Sequence, residues 1–153
     1  MQYIYYANVV DIVKFLLGHT PFAKHLSYAP VREFNRNGDR IYTEAHTADM
    51  WWDIQRDYLG ADATLVPIHW FSDKTHLTAS HGDKHNHPVY ITILNLSHGV
   101  RRQPSRPSTI LLGLIPILPK KTPREYRIRS FHKAMEVMFK RNKSISNHYI
   151  QLH

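Results

Sequence analysis

Three short apolar runs restrict this chain more than anything else in it: LVPIHWF at Leu65 to Phe71, VYITILNL at Val89 to Leu96, and TILLGLIPIL at Thr109 to Leu118. Each is rich in β-branched residues, too short for a typical helix, and bounded by Gly, Pro, Asn or Ser, which is the signature of buried strands. The intervening stretches are long enough to join antiparallel neighbours without tight turns. Pro67 and Pro116 each remove a ladder donor and are therefore expected at strand ends, bulges or an edge. One acidic residue, Asp73, stands just beyond the first run.

The flanks read as helices and a ribbon. Val9, Ile12, Val13, Leu16 and Leu17 recur at helical spacing and predict a helix over Asn8 to Gly18. Pro21 and Pro30 bracket a connecting piece with room for one helical turn. Asn37-Gly38 signals a hairpin within Arg32 to Glu44. Thr47 is expected to cap a helix from Ala48 to Leu59, with Met50, Trp51, Ile54 and Tyr58 on one face. Pro123 opens a last helix that runs to about Asn142. Its apolar stripe would be Tyr126, Ile128, Phe131, Met135, Met138 and Phe139, with Glu136 and Lys140 paired opposite. The fold class is thus α+β (α/β), with three antiparallel strands followed by a helix and preceded by a helical segment. The expected division is 1–62 for the helical and hairpin region, 63–143 for the strand core, and 144–153 for a tail.

Charge is distributed unevenly. Residues 1–100 hold eight Lys or Arg against ten Asp or Glu, whereas residues 101–153 hold twelve against two, giving the formal +8 of the whole. A basic half suggests a polyanion partner, because Lys and Arg neutralise phosphates and release condensed counterions; a solvated basic surface is the plain alternative. Arg101, Arg102 and Arg106 share a loop with Gln103, Ser105 and Ser108, a composition suited to phosphate contacts, and Lys120 and Lys121 follow. Cys is absent, which rules out disulfides and thiolate metal sites. No segment approaches the ~20 apolar residues of a membrane span, and the amino end lacks the features of a secretory signal, so an intracellular protein is expected.

The wording SDKTHLT, GDK, HPVYITILNLS and VRRQPSRPSTILLGLIPILP, in that order, resembles the core of the Plavaka-type transposases of fungal mobile elements, relatives of the CACTA transposases. Upstream, HTPFAKHLSYAPVREF and NGDRIYTEAHTADMWWDIQ fit the stretch that precedes that core. The likeness runs from Val10 to Pro119. It implies the opening of a ribonuclease H-like core, DNA as partner and a nuclear location. It also implies a two-metal strand-transfer chemistry in which carboxylates hold Mg²⁺ or Mn²⁺ ions roughly 3.5–4 Å apart. Asp73 matches the first acidic metal ligand. The resemblance places the second and third carboxylates on later elements that do not appear in this sequence. A truncated and catalytically inactive transposase piece is therefore the expectation; the alternative is a non-catalytic basic DNA-binding or protein-interaction module. No cofactor is expected to bind stably.

Other residues carry competing readings. Asp83 lies across a His-rich loop from Asp73 and is either a second acid or a turn former after Gly82. His76, His81, His85 and His87 crowd the same loop, yet match no known helix-borne or finger spacing for Zn²⁺. In the family that this chain resembles, Trp usually stands at the position of His87, so the chain departs from the pattern there. Trp51 and Trp52 invite base stacking, while helical spacing puts Trp51 in the core. A sheet left with an open edge would favour self-association.

Overall fold

The computed structural model describes residues 4–60, 62–76 and 85–140. In chain order its elements are β1 (Tyr5–Tyr6), α1 (Val9–Gly18), β2 (Glu33–Phe34), β3 (Arg40–Ile41), α2 (Asp49–Tyr58), β4 (Ile68–Ser72), β5 (Thr75–His76), β6 (His85–Asn86), β7 (Pro88–Ile93), α3 (His98–Arg101), β8 (Ile110–Leu114) and α4 (Arg124–Phe139). Turns of 3-10 helix occupy Thr20–His25 and Ala45–Thr47. The class is mixed α and β with an antiparallel sheet. Two compact units make up the chain: Met1–Lys14 with Trp70–Ile91 and Ile110–His153, and Phe15–His69 with Thr92–Thr109. Each unit draws on both sides of residue 62.

The three apolar runs pair as neighbours in the order β8, β7, β4, and β1 adds a fourth strand beside β8. Strand β7 pairs antiparallel with β8, matching Pro88 to Leu114 and Ile91 to Ile110, with a register shift between Val89 and Tyr90. Ser72 Oγ donates to the Pro88 carbonyl at 2.8 Å, and Leu94 N–H donates to the Pro67 carbonyl at 2.9 Å. These bonds set β4 antiparallel to β7. The central strand β7 is buried at every residue but Tyr90, as a strand covered on both faces must be.

All three strands are shorter than their apolar runs, and the prolines explain two of the trimmed ends. Pro67, which lacks an N–H, stands just before β4; Pro116 follows β8 after one further bond from Ile115 N–H to the His87 carbonyl at 2.8 Å. Strand β7 stops at Ile93 because Asn95 turns the chain: its Nδ2 donates to the Ser27 and Leu65 carbonyls at 2.9 and 3.0 Å. The strand β1 was not anticipated. Its tyrosines show no alternation, and only its β-prone aromatic composition hints at pairing.

In the unit that contains it, α4 packs on the sheet. Met138 lies over Gly113, and Phe139 meets Trp70 with ring centroids 6.1 Å apart. Ala134 and Met138 are the buried helix residues, whereas Tyr126 and Ile128 are exposed, so the expected stripe holds only for the second half of the helix. Glu136 accepts from Lys133 at 2.9 Å.

The five apolar residues predicted for the first helix are all buried. Asn8 caps it by accepting from Val10 N–H at 2.8 Å. In the second unit the hairpin forms with a longer loop than Asn37-Gly38 alone would close. Asn35 Oδ1 accepts from the N–H groups of Asn37 and Asp39, and Gly38 takes the positive φ of 87°. Thr47 does not cap α2, whose N-cap is Ala48. It is buried and closes the preceding 3-10 turn, donating to the Glu44 carbonyl at 2.7 Å and accepting from Thr43 N–H at 3.0 Å.

Candidate nucleic-acid interface

Asp73 is the residue immediately after β4, and its side chain is exposed. The Ser72 bond to β7 fixes the strand end that precedes it, so its backbone leaves from a held position. Lys74 adjoins it. His87, opposite on the chain leaving the β5–β6 ribbon, has its pKa pushed below the usual imidazole value, first by burial and then by the Lys74 cation, with the Asp73 carboxylate acting the other way. Its ring also stands 5.7 Å from that of Phe131. The field around Asp73 is therefore mixed rather than acidic.

A two-metal centre needs converging carboxylates. Among the described residues no group of three or more His, Cys, Asp or Glu side chains comes together to hold a metal ion. One exposed carboxylate does not fit a pair of divalent ions, and no step through such ions follows from this arrangement. Of the histidine cluster, His76 and His85 face each other as paired backbone positions of β5 and β6. His81 and the candidate acid Asp83 lie outside the described residues.

The predicted phosphate contacts divide between the two units. Arg101 ends α3 and is committed internally: Nε donates to the Leu96 carbonyl at 2.9 Å and Nη2 reaches Glu44 Oε2 at 3.4 Å. Its neighbour Arg102 is exposed, and Arg106 is half-buried. Their loop is tied by backbone bonds from Gln103 to Val100, Arg106 to Gln103 and Ser108 to Arg106. Ser108 is buried rather than surface-facing, and its carbonyl accepts from Thr92 Oγ1 at 2.6 Å. In the other unit, Lys120 and Lys121 are exposed in the turn closed by the Thr122 N–H bond to the Pro119 carbonyl. The role of Glu44, fifty-seven residues from Arg101 in sequence, had no local signal that could have revealed it.

Of the two tryptophans, Trp51 is core, at 3% exposure, and Arg32 lies 5.0 Å over the ring of Trp52. The core reading of Trp51 therefore holds, and the Arg32 cation over Trp52 is a contact that spacing did not announce.

Neither a curated protein nor a solved structure matches the chain. The family description "Plavaka transposase" matches residues 2–153, which extends the likeness read from Val10 to Pro119 over nearly every residue. With the three core strands in the anticipated order and the acidic residue at the end of the first, this match establishes that the chain belongs to the Plavaka transposase family.

Proposed function

We propose that this chain binds DNA through its basic carboxyl-terminal half and carries in Asp73 the first acidic ligand of a strand-transfer centre, without cleaving DNA by itself. The observation that carries this reading is the placement of Asp73 directly after β4 in a chain of a transposase family, with no group of three or more metal-ligating side chains among the described residues. Arg102, Arg106, Lys120 and Lys121 supply phosphate contacts; Arg101 contributes by holding the loop of Arg102 and Arg106. Relation to the CACTA transposases, a fungal mobile element as origin and action in the nucleus, where chromosomal DNA lies, belong to the same reading. No helix among the described residues is long and apolar enough to cross a membrane.

Two measurements test it. Fluorescence anisotropy with a short duplex across a salt series is expected to show binding that weakens steeply as salt rises. Plasmid nicking with Mg²⁺ or Mn²⁺ is expected to stay at the background of the Asp73→Ala variant. Cleavage that depends on Asp73 would replace this reading with that of a working nuclease, and affinity indifferent to salt would remove DNA as the partner.

A further inference from the structure

The start of α4 is anomalous in both packing and charge. All six residues from Arg124 to Arg129 are exposed, which is more than one full helical turn. The helix is anchored only further on, by Ala134 and Met138. Two of the six are apolar: Tyr126 is 61% exposed and Ile128 44%.

Charge sharpens the anomaly. From Lys120 to Arg129 the chain carries Lys120, Lys121, Arg124, Arg127 and Arg129 against the single carboxylate of Glu125. No side-chain hydrogen bond or ion pair joins Arg124, Arg127 or Arg129 to another described residue, although the Arg127 N–H donates to the Pro123 carbonyl at 3.3 Å. Cations at the amino end of a helix oppose its macrodipole, and no side chain caps this end, although Lys140 stands favourably at the C-cap. The sequence therefore places three of the helix's cations in its first turns, where an isolated helix tolerates them least.

At 100° per residue, Arg129 stands about 140° round the helix axis from Arg124, and Arg127 about 60° to the other side. The cations therefore surround the rod instead of forming one stripe. An acidic peptide or protein surface would meet such a rod on one side. A DNA groove meets it on two, because phosphate backbones form both walls, and the major groove admits a helix.

We infer that the exposed first turns of α4, with Arg127 and Arg129 facing the two backbones, Tyr126 between them toward the groove floor and Arg124 at the groove's mouth, are the element by which this chain enters the major groove of duplex DNA. The inference rests on the DNA-binding reading above and goes further in naming the element, the groove and the form of nucleic acid.

The experiment uses the full chain and a short DNA duplex. Arg124→Gln/Arg127→Gln/Arg129→Gln keeps good helix formers at exposed positions, and circular dichroism checks that it folds. Its affinity at moderate salt is expected to fall by about tenfold or more, and the slope of log affinity against log salt by about two to three. The triple Lys variant retains the charge and is expected to recover most of the binding. Lys133→Gln, which touches only the Glu136 pair, is expected to leave affinity within about twofold of wild type. Methyl green, a major-groove ligand, should compete, and the minor-groove ligand netropsin should not. Wild-type binding that a folded triple Gln variant keeps, or that netropsin alone displaces, overturns the inference while leaving DNA binding intact. So does equal affinity for single-stranded DNA or for polyglutamate. Absence of salt-sensitive binding by the wild type removes the underlying reading and the inference together.

Discussion

Glu44 and Arg101 are held in one arrangement by two separate contacts. The Glu44 carboxylate takes the Arg101 guanidinium at 3.4 Å with one oxygen and the His98 N–H at 2.7 Å with the other. Both side chains are less than one-fifth exposed, so the pair is shielded more than an ordinary surface ion pair. Arg101→Ala is expected to cost about 2 kcal/mol, since it leaves the Leu96 carbonyl and Glu44 without their charged donor. Arg101→Lys retains the charge but not the fork that reaches both groups. Urea unfolding should show most of the loss for Lys too.

Gly113 is a close-approach position. A Cβ there would meet the Tyr5 carbonyl at 2.6 Å, Tyr6 Cβ at 2.8 Å and Met138 Cε at 3.0 Å. The methionine end can move; the backbone of β1 cannot without giving up its pairing with β8. Gly113→Ala is expected to destabilise by roughly 1–3 kcal/mol, and hydrogen exchange should find the amides of β1 protected less than in wild type.

Asn95 ties three segments of the second unit. Besides its two side-chain donations, its carbonyl accepts from Ser27 N–H at 2.9 Å, and the residue is fully buried. Both side-chain partners are carbonyls, which settles the amide orientation, because the opposite one would face oxygen with oxygen. Asn95→Ala leaves two part-buried carbonyls without their donor and is expected to cost about 1–3 kcal/mol. Asn95→Asp should be at least as harmful, since it sets a carboxylate against those carbonyls, and thermal unfolding of the two variants measures the order.

His87 gives stability a pH dependence of defined sign. Its folded pKa lies below the unfolded value of 6.5 because burial and Lys74 disfavour the imidazolium. The unfolded chain therefore binds more protons below about pH 7, and the stability that neutral His87 permits is present above the unfolded pKa and lost as pH falls through 6.5 toward the folded value. His87→Phe keeps a ring beside Phe131 without a titrating group. Melting temperatures at pH 7.5 and 5.5 should differ less for this variant than for the wild type.

Strand β4 ends the four-stranded sheet, and every residue in it but Ser72 is exposed. Ile68, Trp70 and Phe71 make this an apolar edge, the kind that pairs with other chains unless a charge interrupts it. We expect concentration-dependent association at low salt, and Ile68→Lys should reduce it in sedimentation velocity. Equal association of the two proteins would clear the edge of this role.

Much of the fold was legible because it depends on periodicity. Val9, Ile12, Val13, Leu16 and Leu17 fall on one helical face whatever the rest of the chain does, and all five are buried. The three core strands announced themselves through β-branched composition and breakers, and their order followed from sequential pairing. Asp73 was legible for the same reason, since it stands at a strand end set by its own neighbours. Less legible were Thr47, whose local pattern fits a cap of either the turn before it or the helix after it, and Ser108, whose polar loop gave no sign of burial.

Element type and apolar face thus follow from the amino-acid order, because side-chain direction along a helix or strand repeats with a local period. Family membership follows from the same order, through the run of words that the Plavaka match extends to residues 2–153. Pairings over long separations do not. The β1–β8 contact, the three segments joined at Asn95 and the diversion of Arg101 from solvent to Glu44 each depend on which distant backbone arrives beside a residue. That arrival is set by the packing of the whole chain, in which no single residue carries a local preference for its partner.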